Sequence, residues 1–173
     1  MRRQHRAITE ISQIISHHDA LRCFFPHPGP TASFVNENTV VRAAAVVERH
    51  IERRARRLKR VAPGKPLRLS EAATEVLGPW GKNADWPDVC IRALLVLRHM
   101  IVHLDGKYRP GRLRPQSRMQ LLPAFRRFCR CVPAARVRVG WPLSLSGAEV
   151  IRPMLEGCRD HWKQRKKKAV GVR

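Results

Sequence analysis

Acidic residues are scarce in this chain of 173 residues: thirteen Asp and Glu stand against thirty-five Lys and Arg, a formal net charge of +22. That imbalance goes far beyond what solubility needs and points to a polyanion as partner. Long apolar runs are also missing. Arg or His interrupts every hydrophobic stretch well short of the roughly 20 residues that cross a bilayer, so neither a transmembrane helix nor a membrane partner is expected. The start, Met1 to Arg6, is basic, and an amphipathic segment with Glu10 and His17-His18 follows where a secretory signal would need a continuous apolar stretch. The five cysteines form no framework: Cys23, Cys90, Cys129, Cys131 and Cys158 are an odd number without disulfide spacing. Reduced thiols and a cytoplasmic location are therefore expected. Cys129-Arg130-Cys131 has no second close Cys or His pair at zinc-ribbon spacing, so no structural zinc and no cofactor are expected. Aromatics are few, with one tyrosine and four tryptophans, and Trp80, Trp86, Trp141 and Trp162 read as core anchors.

What is present is helical periodicity. Hydrophobic residues make up 43% of the chain, enough for one core and too little length for two. The expectation is an all-α bundle of five to six helices over residues 1–162, followed by a basic tail over 163–173. Ile8, Ile11, Ile15 and Leu21 recur at helical spacing, and prolines then predict a first helix ending near Phe25 and a loop over 26–36. Val40, Ala44, Val47, Ile51, Ala55 and Leu58 form the apolar stripe of a long second helix whose outer end is crowded with arginine. Pro63-Gly64-Lys65-Pro66 ends it, and Ser70 is the expected N-cap of a short helix stopping at Gly78-Pro79. Met119, Leu122, Phe125, Phe128, Cys129 and Val132 predict a later helix, bent or begun at Pro123. Alternation around Gly140-Trp141-Pro142 suggests a small β-hairpin over 136–145. Ser146 to Glu149 has capping-box spacing for a last helix bent at Pro153.

The most informative segment starts at Asp85, a capping carboxylate just ahead of Trp86-Pro87, and its helix runs to about Leu104, with Gly106 as the stop. At about 100° per residue, Asp88, Arg92, His99 and His103 share a sector of about 60°, and the remainder of the helix is apolar except Arg98. Arg98 lies about 140° from His103, so the two meet only near the helix end, by a long reach of the arginine, or across a second copy of the chain. The following loop carries Lys107, Tyr108, Arg109, Arg112 and Arg114, a mix suited to phosphate contact and base stacking.

Arg98-His99-Met100-Ile101-Val102-His103 resembles the hallmark of the HEPN superfamily: an arginine, a polar residue, three further residues and a histidine. The resemblance covers roughly residues 37–110. It implies a helical bundle that forms a homodimer with its two motifs facing each other, and a metal-independent endoribonuclease site at which Arg98, His99 and His103 are catalytic. A toxin or defence role is implied with it. Some members are paired with a nucleotidyltransferase antitoxin that modifies a tyrosine near the motif, a position held here by Tyr108.

The residue types suit that chemistry on their own account. Attack of a ribose 2′-hydroxyl on the adjacent phosphate, leaving a 2′,3′-cyclic phosphate, needs a proton-transfer group titrating near neutrality and a cation facing the transition state. His103 fits the first role and Arg98 the second. His99 would orient Arg98 or the phosphate, while Lys107, Tyr108, Arg109, Arg112 and Arg114 would hold single-stranded RNA. Three other readings stand beside this one. The triplet can be a structural seam, with Arg98 paired to Glu48 or Glu52, in a non-catalytic RNA-binding or assembly module. The histidines can be metal ligands. The charge can serve DNA binding, for which no recognition-helix motif is evident.

Overall fold

The structure is a computed structural model that describes residues 2–25, 27, 29–58, 68–81, 84–132, 135, 138–141 and 148–170. The described residues form α1 (Arg2–Phe24), α2 (Pro30–Leu58), α3 (Leu69–Leu77), α4 (Trp86–His103), a 3-10 turn (Pro110–Arg112), α5 (Pro115–Gln120), α6 (Leu122–Cys131) and α7 (Ala148–Val170). The chain is an all-α bundle, with no strand among the described residues. None of these helices is long and apolar enough to cross a membrane.

α4 is the axis of the bundle, because its sequence is apolar nearly all round and must be covered on every side. It packs against α2, α6 and α7, while α1 closes the remaining face by lying on α2 and α7. Residues Val89 to Leu97 are buried without interruption. The expected cap forms at its start: Asp85 accepts from the Asp88 amide at 2.9 Å, and Pro87 lies in the first turn. Asp105 and Gly106 both have positive φ, and the amides of Leu104 and Gly106 both reach the Met100 carbonyl, which ends the helix.

Several expectations need correction. α2 begins at Pro30, not after 36, because proline suits a first helical turn and Ala32, Val35, Asn36 and Thr39 all have a core to enter. Leu58 ends the apolar stripe exposed, whereas Val40 to Ala55 of that stripe are buried. Arg68, not Ser70, is the N-cap of α3, and Ser70 is buried inside the helix. Trp162 is buried, but Trp141 is 56% exposed and lies under the Arg138 guanidinium, so it anchors no core. The last helix continues to Val170, so 163–170 is helical. The Pro63–Pro66 break and most of the expected hairpin lie outside the described residues. Within 138–141, the Gly140 amide donates to the Tyr108 carbonyl and the Tyr108 amide to the Trp141 carbonyl, so this turn pairs with the loop after α4.

α7 comes so close to α4 that a Cβ at Gly157 would run into the Cys90 side chain. Glycine inside a helix ordinarily costs stability relative to alanine, by about 1 kcal/mol. Here the sign reverses: Gly157→Ala is expected to destabilise by ~1–3 kcal/mol through overpacking, read as a lowered denaturation midpoint. Cys90→Ala in the same chain should recover part of the loss. A neutral or stabilising Gly157→Ala would show that the two helices separate at no cost.

Candidate active site

The polar seam of α4 divides into a structural half and an open half. In the first turns, Arg92 is fully buried and each nitrogen of its guanidinium has a partner: Nε faces the Asp88 carboxylate at 3.2 and 3.3 Å, Nη1 donates to the Gln120 carbonyl at 3.0 Å, and Nη2 to that of Gly78 at 2.6 Å. Burial acts against its charge, and Asp88 acts to restore it. Arg92 thereby ties the end of α3 and the end of α5 to the middle of α4. Those three helices wall the cavity that lies further along the seam.

That cavity has a volume of about 270 Å³ and contains Arg98, His99, His103 and Arg114 in its lining. Arg98 and His103 meet within one chain, the arginine reaching past the last turn so that Nη1 lies 3.4 Å from His103 Nε2. A guanidinium has no acceptor, so the imidazole nitrogen accepts in this contact, which belongs to the neutral ring. The same arginine's Nε lies 3.5 Å from Glu48 Oε1 on α2. Of the three ways in which the pair could meet, this chain shows the long reach of the arginine at the helix end. Side-chain length overcomes the angle because His103 is the last helical residue.

His99 lies beside His103, with ring centroids 5.0 Å apart. Burial is the main cause that lowers its pKa, helped by His103, Arg98 and Arg114. Glu48 is raised by burial even though Arg98 and His103 pull it down. His50, on the far side of α2, is also lowered by burial, against the opposing pull of Glu10.

These shifts have a consequence for stability. For His50 and His99 the unfolded chain binds protons at a higher pH than the fold does, so stability rises with pH across that window. It is complete above the unfolded value of 6.5 and is lost as pH falls through the lower folded values. Glu48, shifted upward from 4.5, acts in the opposite sense in the window that opens upward from that value. The thermal midpoint is expected to fall between about pH 7.5 and about pH 5.5, and less steeply in His50→Gln and His99→Gln. An equal slope in the variants would assign the decline to other groups.

The loop residues divide unequally. Arg114 joins the cavity; Arg109 and Arg112 are exposed, Lys107 is half-buried, and none of these three lines it. Tyr108 departs from expectation. It is 5% exposed and packed on Phe125, so it is a core residue and offers neither a stacking face nor a surface to a modifying partner. Its position after an Asp-Gly stop suggested a loop tip, but pairing of its backbone with 140–141 turns the ring inward.

Arg68, Ser70 and Ser117 line the cavity, and sequence reasoning assigned none of them to the site, Ser70 being expected only as a helix cap. They come from α3 and α5 and share no spacing with the motif, so only tertiary packing brings them there. Among the described residues no three His, Cys, Asp or Glu side chains gather as a metal site. No family model, curated protein or solved structure matches the chain.

Proposed function

We propose that the chain is a metal-independent endoribonuclease that cleaves single-stranded RNA at the Arg98–His103 cavity. The observation that carries this reading is the 3.4 Å approach of Arg98 to His103 inside a basic, solvent-accessible groove. In the reaction, the 2′-oxygen bonds to phosphorus and the bond from phosphorus to the 5′-oxygen breaks. The products are a 2′,3′-cyclic phosphate and a 5′-hydroxyl. One proton leaves the 2′-hydroxyl and one is delivered to the 5′-oxygen.

His103 takes the first proton once the phosphate draws Arg98 Nη1 away from Nε2, or relays the second. Arg98 faces the phosphoryl oxygens, where charge accumulates, and Glu48 holds the guanidinium from behind. His99, whose pKa is lowered mainly by burial, lies beside His103 and is placed to exchange a proton with it or with the substrate. Arg114 adds positive charge at the mouth, and the overall charge of +22 attracts the strand from a distance.

The non-catalytic reading has one observation in its favour, the Arg98–Glu48 contact that joins α4 to α2. Incubation with single-stranded RNA separates the two. Cleavage is expected in excess EDTA at a rate close to that with magnesium, with cyclic phosphate termini detected by mass spectrometry. Intact RNA under all conditions would leave a binding module, and a strict metal requirement would return the histidines to a ligand role.

A homodimer with facing motifs remains part of the proposal, but one chain already pairs Arg98 with His103. Mixing Arg98→Ala and His103→Ala chains is therefore not expected to restore activity. Recovery would show that each protomer serves its partner.

A further inference from the structure

We propose that the inner part of the same cavity is a seat for the nucleobase beside the cleaved phosphate, with Ser70 and Ser117 reading the base edge. This rests on the ribonuclease reading of Arg98 and His103. A phosphate held by that pair has a nucleoside attached within the same enclosure, since Arg98 and His103 share one lining with Ser70 and Ser117.

Size and surface both favour one base. At about 270 Å³ the cavity is below the usual ~300–1,000 Å³ of small-molecule pockets, which admits a single ring system and excludes a duplex. Its floor is apolar: Leu95 and Val96 are buried residues of α4, and Leu121 is buried between α5 and α6. Flat heteroaromatic rings lose little by leaving water for such a surface, provided that their edges keep hydrogen bonds. Serine hydroxyls donate or accept, so two of them at the wall suit the mixed edge of a base. Arg68 and Arg114 at the rim are both exposed and offer guanidinium planes or phosphate contacts. Tyr108 is unavailable for stacking because its ring is in the core. Recognition therefore falls to enclosure rather than to an aromatic platform.

The test is equilibrium binding of inorganic phosphate and of the four nucleoside 3′-monophosphates by calorimetry, with the full chain. At least one nucleotide is expected to bind tighter than phosphate by tenfold or more, on the order of one buried base contact, and the four are expected to differ. Ser117→Phe should fill the seat and erase that advantage while phosphate affinity stays within about twofold. Ser117→Leu serves if the larger side chain prevents folding, and Ser70→Ala should reorder the four nucleotides. Equal affinities for phosphate and all four nucleotides would overturn the proposal, as would a Ser117→Phe variant that keeps the nucleotide advantage. A nucleotide preference in a chain that never cleaves RNA would sustain the base seat and refute the ribonuclease reading. Cleavage without any nucleotide advantage would do the reverse.

Discussion

His103→Ala is expected to lower RNA cleavage by ~10²-fold or more, the usual effect of deleting a general acid or base. The fold should be retained, because His103 is exposed at the end of α4. Single-turnover cleavage of a short RNA, beside a thermal melt of the same sample, checks both halves of the expectation. Arg98→Lys should also be impaired despite its conserved charge. Lysine lacks the planar fork with which Arg98 faces Glu48 at 3.5 Å and His103 at 3.4 Å together. Near wild-type cleavage by His103→Ala would remove the chemical role from this site. Near wild-type cleavage by Arg98→Lys would reduce Arg98 to bulk electrostatics.

Arg92→Ala should have the largest effect on stability. Truncation leaves the Asp88 carboxylate without its cation and two carbonyls, of Gly78 and Gln120, without their donor. Removing one partner of a buried ion pair costs ~3–5 kcal/mol, which for a chain of this length lowers the melting midpoint by about 6–20 °C. Asp88→Ala should cost less, since Arg92 keeps both carbonyls. Differential scanning fluorimetry of the two variants reads this order. Because Arg92 joins α3 and α5 to α4, a surviving Arg92→Ala chain should also lose nucleotide binding at the cavity. A loss below about 1 kcal/mol would show that water replaces the guanidinium freely.

The fold was largely legible from spacing, and the places where it was not share one cause. α4 could be bounded from Asp85 to Gly106 because a capping carboxylate, an early proline and a left-handed stop act on their neighbours in sequence. α2 was placed too late because Pro30 was read as a break when, at a helix start, its missing amide costs nothing. Asp88, Arg92, His99 and His103 were correctly grouped on one face, but a helical wheel cannot tell a buried guanidinium from an open imidazole. That distinction depends on carbonyls at Gly78 and Gln120, which only the packing of α3 and α5 supplies.

The sequence by itself determined the helical class, the net charge of +22, and the run from Arg98 to His103, because these depend on composition and on neighbours within a turn or two. Tertiary structure alone decided that Tyr108 turns inward, that Arg98 spans to His103 without a second chain, and that Arg68, Ser70 and Ser117 meet the motif in one cavity. Each of these depends on side-chain reach or on helices distant in sequence coming together, and burial of the apolar faces of α3 and α4, with Leu121 and Leu122 just after α5, is what fixes those distances.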